Sequence, residues 1–272
     1  MFNVTKPTKD KPSLLKHKEV ISLFNELGHG IRNLVTKVKF ASSHSGYDTD
    51  FIVTPSKMLE HWFWDVKQIR SLSKHYSYLS PSYAAVWKSK VDNNNSQQPS
   101  EKLPESLATG LVSSRFTLEA IENLKLIARS RFALTVHDQI SQAKLKSLDL
   151  TALYNSLRDD YTKLYGPSSD GHDKHWAHNQ TSFNTVYSHW AAAQYSFLHS
   201  SVVAADLFFS GFKGDPTDYD TGRRFRKVVL EPGGGKPQYL LLEKFLGRPP
   251  SNEAFIKSLT GEMVEPTIMK NN

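Results

Sequence analysis

Apolar positions recur along most of this chain with helical rather than strand spacing. In residues 19–40, EVISLFNELGHGIRNLVTKVKF, the side chains Val20, Phe24, Leu27, Ile31, Leu34 and Val38 follow one another at alternating steps of four and three. That rhythm lays one apolar stripe along a 3.6-residue helix. Gly28 and Gly30 interrupt it, and each costs a helix about 1 kcal/mol relative to Ala. Their presence predicts another stretch of backbone close to that turn. Residues 41–53 read as a loop ending in a short apolar segment. Thr54-Pro55 reads as a helix start, with Thr as N-cap and Pro at the first helical position. The helix is expected to run to about residue 76, with Trp62, Phe63 and Trp64 filling a core. The polar stretch VDNNNSQQPSEKLP, 91–104, reads as a surface loop. Helical patterns follow at 105–141 and 149–165, then a loop at 166–175. Further helical patterns at 183–213 and 217–230 lead to the stop signal EPGGGKP, and two short helices near 237–246 and 251–260 follow. No run of alternating strands, repeat or Gly-rich nucleotide loop interrupts the series, so the predicted fold class is mainly α.

Composition narrows the class without naming a function. Hydrophobic residues make up 39 % and charged residues 22 %, enough to bury a core. Residues 1–18 are Lys-rich with two Pro and read as a mobile basic tail, residues 19–262 as one helical domain, and residues 263–272 as a second tail. The net charge of +7 is a weak attraction for acidic partners. The basic run Arg223-Arg224-Phe225-Arg226-Lys227 suits the last turn of a helix, where cations complement the dipole, so no nucleic-acid partner is expected. Zero Cys excludes disulfides, thiolate zinc sites and cysteine nucleophiles. No stretch reaches the roughly 20 apolar residues of a membrane span. The start MFNVTKPTKDKP has no apolar core of a secretory signal, which points to the cytoplasm; a mitochondrial address is the weaker reading, since the tail lacks Arg. The acceptor patterns Asn3-Val4-Thr5 and Asn179-Gln180-Thr181 then read as chance. His137 and His175 show no interpretable spacing.

The candidate chemistry sits in the first helix. Asn25-Glu26-Leu27-Gly28-His29 is one residue from the zinc-protease signature H-E-x-x-H. In that signature two His four residues apart share one helical face and one zinc ion, and the Glu serves as general base. Over a longer span the chain resembles the thimet oligopeptidase family of zinc metallopeptidases, which includes saccharolysin and oligopeptidase A. The resemblance is carried by NELGHGIRN, DFIVTPSKMLEHWFWD (50–65), LSKHY (72–76), SLDLTALYNSLRDDY, AQYSFLHSSVVAADLF and GRRFRKVVLEPGGGKPQYLLLEKFLGRPPSNEAF, in the family's order across about residues 19–262.

The resemblance implies a helical lobe like the C-terminal half of a two-lobed, channel-containing zinc oligopeptidase that takes short peptides. It places the family's first zinc His on Asn25, the catalytic Glu on Glu26, the second zinc His on His29 and the ligating Glu on Val53. It places the Gln after that motif's Ser on Lys57. His189 falls on a substrate-binding His, and the following Gly-Tyr loop has no counterpart. Gln194-Tyr195-Ser196-Phe197 replaces the family's Tyr-Tyr-Gly-Tyr, which assigns Tyr195 to the oxyanion side and leaves Phe197 without the donating hydroxyl. His75 falls on a packing or channel-wall position. Asp50 and His44 are the candidates for a substitute ligand. The expectation is therefore weak or absent zinc binding, because two of three ligands are replaced. Three functions follow from it: a catalytically impaired homologue; an active zinc oligopeptidase using substitute ligands or a partner chain, for instance on a precursor peptide of a metabolite pathway; and a non-enzymatic helical scaffold. A paralogue or partner chain is expected to cover the missing N-terminal half, and a lone lobe to expose apolar surface.

Overall fold

The structure is a computed structural model of the chain, and it describes residues 4–44, 46–91, 97–166, 171, 173–188 and 190–261. Among them are helices joined by 3-10 turns, and no strand. No helix of these residues is long and apolar enough to cross a membrane.

The helices are α1 (His17–Val35), α2 (Thr54–Glu60), α3 (Val66–Leu72), α4 (Pro81–Lys90), α5 (Glu105–Ser114) and α6 (Phe116–His137). They continue with α7 (Gln142–Lys146), α8 (Leu150–Thr162), α9 (Ser196–Gly211), α10 (Tyr219–Phe225), α11 (Gln238–Leu246) and α12 (Glu253–Leu259). Several begin at a side-chain cap. Asp65 accepts from the Gln68 amide at α3, Asp149 from Ala152 at α8, and Asp218 from Thr221 at α10, each satisfying an orphan N–H of a first turn.

Long predicted helices are broken where side chains must turn inward. The segment expected to run unbroken from Thr54 passes from α2 into a 3-10 turn, His61–Trp64, then to the cap Asp65 and α3. The tighter turn buries His61 and Phe63 together, which a continuous α-helix spaces differently. Val53, not Thr54, is the N-cap of α2. The pattern at 105–141 divides at Arg115 into α5 and α6. The helix expected from 183 starts at Ser196, and Asn179–Ser182, Asn184–Tyr187 and Ala191–Ala193 form short 3-10 turns instead. Within that stretch Phe183 and Val186 are buried against Phe132 and Tyr154, so its apolar periodicity serves a folded loop. The helix predicted at 217–230 ends at Phe225 and widens into a π-turn, Arg226–Leu230. The basic run there makes internal contacts: Arg224 donates to the Phe245 carbonyl and lies over its ring, and Arg226 pairs with Glu231. Part of the 91–104 loop, residues 92–96, lies outside the described residues, as do Asn3 and residues 263–272.

The main core is built by α9, α10, the π-turn and α11 around Phe208, Phe212, Phe225 and Phe245, with Met58 of α2 and Phe51 reaching in. Trp62 packs on its edge and donates its indole N–H to the Pro216 carbonyl. The stripe expected on α1 is only partly used. Phe24 meets Phe63 ring to ring, but Leu27, Ile31 and Leu34 are exposed, Leu34 by 86 %. The buried positions of α1 are Gly28 and Arg32. Arg32 donates to the Ile52 carbonyl and covers the Tyr47 ring. The face that α1 buries is therefore set by its crossing with α2, beside the apolar stripe and not along it.

Gly28 is the crossing point. A Cβ built there would stand 2.5 Å from the Ser56 Cα, while at Gly30 it would meet nothing. The close approach inferred from two glycines thus belongs to one of them. Gly28→Ala is expected to push α2 away and cost about 1–3 kcal/mol, and Gly30→Ala to be neutral or stabilising by up to about 1 kcal/mol. Urea melts of the two variants check this, and equal effects contradict it.

Candidate functional site

The close crossing of α1 and α2 brings their facing side chains to one open cleft of about 330 Å³. Asn25, Glu26 and His29, at helical spacing on α1, form one wall. Val53 at the N-cap of α2, with Lys57 and Glu60 of that helix, forms the other, and Phe197 at the start of α9 closes an end. Seven positions between residues 25 and 197 that were connected by resemblance alone, or not connected at all, thus share one site. Tyr195 lies outside the lining. Its hydroxyl is bonded to the Asp50 carboxylate, and that contact, helped by some burial, raises the phenol above its ordinary value. His189 lies outside the described residues.

Polar contacts within the cleft are internal to it. The Asn25 amide donates to Glu60 Oε1 at 2.6 Å, and Lys57 Nζ reaches the same oxygen at 2.9 Å and Oε2 at 3.3 Å. Glu60 therefore holds two of the substituted positions at once. Sequence reasoning missed it. The signal was available in the Lys57–Glu60 spacing of three, which puts both on one face of α2.

His29 Nε2 lies 3.1 Å from Ser56 Oγ, and the Ser56 hydroxyl donates to the Val53 carbonyl at 2.8 Å. A hydroxyl has one proton, so the imidazole must donate in this contact, and the lone pair is left on Nδ1. Burial lowers the His29 pKa, Arg32 and Lys57 add to the effect, and Glu26 opposes it. The ring is neutral near pH 7.

Neither candidate substitute ligand reaches the cleft. His44 Nε2 contacts the Asn33 carbonyl at 3.1 Å. The Asp50 carboxylate faces the Tyr195 hydroxyl and leaves Oδ1 buried without a partner, and its backbone carbonyl accepts from Ser200. His75 bonds Ser77 and packs on Tyr76, a local structural role. His137 contacts the Val186 carbonyl, and His175 lies between Asp149 and Asp173.

Zinc prefers three or four imidazole, thiolate or carboxylate donors in tetrahedral array. At the positions the resemblance assigns to its ligands, this chain offers an amide already donating to Glu60, an isopropyl group, and one imidazole tied to Ser56. The Lys57 ammonium occupies the same cleft. Among the described residues no three His, Asp or Glu side chains gather around one point. The side chains present at these positions do not fit zinc.

Comparison with known proteins gives a single family. The model described as peptidase family M3 matches residues 1–261. Oligopeptidase PhomG of Diaporthe leptostromiformis is 32 % identical over 267 residues, which are 97 % of this chain and 37 % of that protein. Saccharolysin of Saccharomyces cerevisiae is 33 % identical over 262 residues, 94 % of this chain and 32 % of that one. Oligopeptidase A of Escherichia coli is 26 % identical over 259 residues, with 94 % and 34 % covered. The chain spans about a third of the length of these curated relatives.

Proposed function

The chain belongs to peptidase family M3, and from that premise we propose that it is an oligopeptidase homologue with an impaired catalytic centre, acting in the cytoplasm as a short-peptide-binding or partner-associated protein. The observation that carries this reading is the set of contacts Asn25–Glu60–Lys57. They settle the cleft's charges among its own side chains, with a cation where a metalloenzyme needs donors. Glu26 stands as the retained general base and His29 as the retained ligand. Without an ion, the water beside Glu26 keeps close to its bulk acidity and is a poor nucleophile at neutral pH. His189 and Tyr195 are assigned to the peptide's carbonyl side, and a partner chain to the part of the relatives that this chain does not span.

A second reading, a working zinc oligopeptidase, draws on one observation: Glu26, His29 and Glu60 line the same cleft. It requires Glu60 to exchange Asn25 and Lys57 for the ion. One experiment separates the two. Purified protein is dialysed, its zinc measured by mass spectrometry, and hydrolysis of quenched short peptides compared with the Glu26→Ala variant. The expected outcome is substoichiometric zinc and equal residual rates. Stoichiometric, chelator-sensitive zinc, or a drop of about 100-fold or more in the variant, decides for the working enzyme.

A further inference from the structure

The contacts among Asn25, Lys57 and Glu60 match the lysine of the α1–α2 cleft to one of its two carboxylates. Glu26 is the carboxylate left over. It is exposed and forms no hydrogen bond or ion pair among the described residues. Two further acceptors stand on the same wall. A carboxylate only accepts, so the contact to Glu60 is made by the Asn25 NH2, and the Asn25 Oδ1 is left without a partner. The His29 ring donates through Nε2 and keeps its lone pair on Nδ1. Neither atom is sealed inside the protein. Residues 25 and 29 are four apart on α1, and residues 26 and 29 three apart, spacings that turn side chains to one helical face. Arg32, the next cation along α1, does not line the cleft and donates to the Ile52 carbonyl.

A carboxylate, an amide oxygen and an imidazole lone pair thus surround one unmatched negative charge. A primary ammonium is the complement, with three N–H donors and one positive charge. An amide oxygen is a poor ligand for zinc but an ordinary acceptor for N–H, so the substitution that spoils position 25 for the metal suits it to an amine. Lys57 directs two N–H groups at Glu60 and Asn25 one, so each keeps one donor for a carbonyl oxygen. Ile21, Val53 and Phe197 add apolar surface. An ammonium, an apolar side chain and a carbonyl on neighbouring atoms describe the first residue of a peptide. The cleft's volume of about 330 Å³ is at the low end for a small-molecule site and suits the end of a chain.

We propose that the cleft binds peptides by their free N-terminus, with the ammonium shared by Glu26, Asn25 Oδ1 and His29 Nδ1 and an apolar first side chain against Ile21, Val53 and Phe197. The proposal rests on the reading that no metal ion takes these side chains.

Titration calorimetry in EDTA tests it with leucyl-glycyl-glycine, its N-acetyl form, and N-acetyl-lysyl-glycyl-glycine, which carries its ammonium on a side chain. The free leucyl peptide is expected to bind with a submillimolar Kd. Acetylation is expected to weaken it at least about tenfold, the scale of a hydrogen bond to a charged group, and the lysyl peptide to bind no better than the acetylated one. Glu26→Gln keeps the shape of an exposed side chain and removes the charge. It should weaken the free peptide about tenfold and leave the acetylated one unchanged. Equal affinity for free and acetylated peptide in EDTA, a lysyl peptide as tight as the free leucyl one, or a Glu26→Gln variant that keeps the full preference overturns the proposal alone. Peptide binding that appears only without EDTA, alongside stoichiometric zinc, overturns the impaired-centre reading beneath it as well.

Discussion

Arg248→Met is expected to destabilise the fold by about 3 kcal/mol, the largest stability effect that any single exposed side chain here should have. Its partner Asp206 lies within α9 and is 1 % exposed. Arg248 holds that carboxylate with two nitrogens, Nη2 to Oδ1 at 2.5 Å and Nη1 to Oδ2 at 2.9 Å. The Ser251 amide adds a third bond at 2.8 Å and the Ser210 hydroxyl a fourth at 3.2 Å. This group of contacts ties α9 to the loop between α11 and α12. Removing the arginine leaves a buried carboxylate with less compensation, which typically costs 3–5 kcal/mol. Because the Arg248 side chain is 43 % exposed, water reaches one side of the pair, and the lower end of that range applies.

The pH dependence makes the cause visible. Burial pushes the Asp206 carboxyl up, but the bonds from Arg248, Ser251 and Ser210 outweigh it and hold the group below its ordinary value. A carboxylate with a depressed folded pKa contributes stability that is present above the unfolded value of about 3.9 and is lost as pH falls through the folded one. In Arg248→Met the main opposing contact is gone and burial is left to raise the pKa. The variant should then lose stability as pH rises from about 4 to 6, where the native chain does not. Urea melts across that range check this. A penalty independent of pH would assign the loss to side-chain packing instead.

Much of the fold was legible because helix periodicity survives without tertiary information. The helices α1, α8, α9 and α11 all lie within or close to their predicted spans. What periodicity cannot give is a change of helix type. The turn at His61–Trp64 and the stretch 179–187 carry apolar residues at helical intervals, yet each buries them through tighter turns dictated by Phe208 on one side and Phe132 on the other. The orientation of α1 was hidden for a related reason. Gly28 and Arg32 have little apolar side chain, so a pattern of apolar positions passes over the face that is buried. At the site, six of the residues that the motif resemblance named in sequence, Asn25, Glu26, His29, Val53, Lys57 and Phe197, share one cleft, whereas Tyr195 lies outside it and His189 lies outside the described residues. Ser56 was invisible because its partner lies 27 residues away, and the Lys57–Glu60 spacing could show only half of Glu60's role, since Asn25 lies 35 residues away. The substitute ligands suggested by proximity in sequence, His44 and Asp50, do not line the cleft: His44 contacts the Asn33 carbonyl, and Asp50 faces Tyr195 with its Oδ1 buried and unpartnered.

Asn25→His combined with Val53→Glu is expected to bind zinc at least about 100-fold more tightly than the native chain, since even a partner behind the ligands is worth 10–100-fold. The reasoning is geometric. Glu60 Oε1 already lies 2.6 Å from the Asn25 amide. An imidazole at position 25 would donate one ring N–H to that carboxylate, and a carboxylate so placed fixes the tautomer and turns the other nitrogen toward a metal. Residue 53 lies directly at the start of α2 in the same cleft, so a glutamate there adds an anionic donor opposite His29. Through Nδ1 the His29 ring ligates while keeping Ser56, and through Nε2 it gives up only that neutral hydrogen bond, worth about 1 kcal/mol, which is small beside the gain from a completed donor set. Each single variant supplies two protein donors and should bind far more weakly than the pair, so the effects are strongly non-additive. Competition against a chromogenic zinc chelator measures all four proteins. If the native chain already competes as well as the double variant, Asn25 and Val53 are not what limits the site, and impairment by ligand loss is the wrong account of this protein.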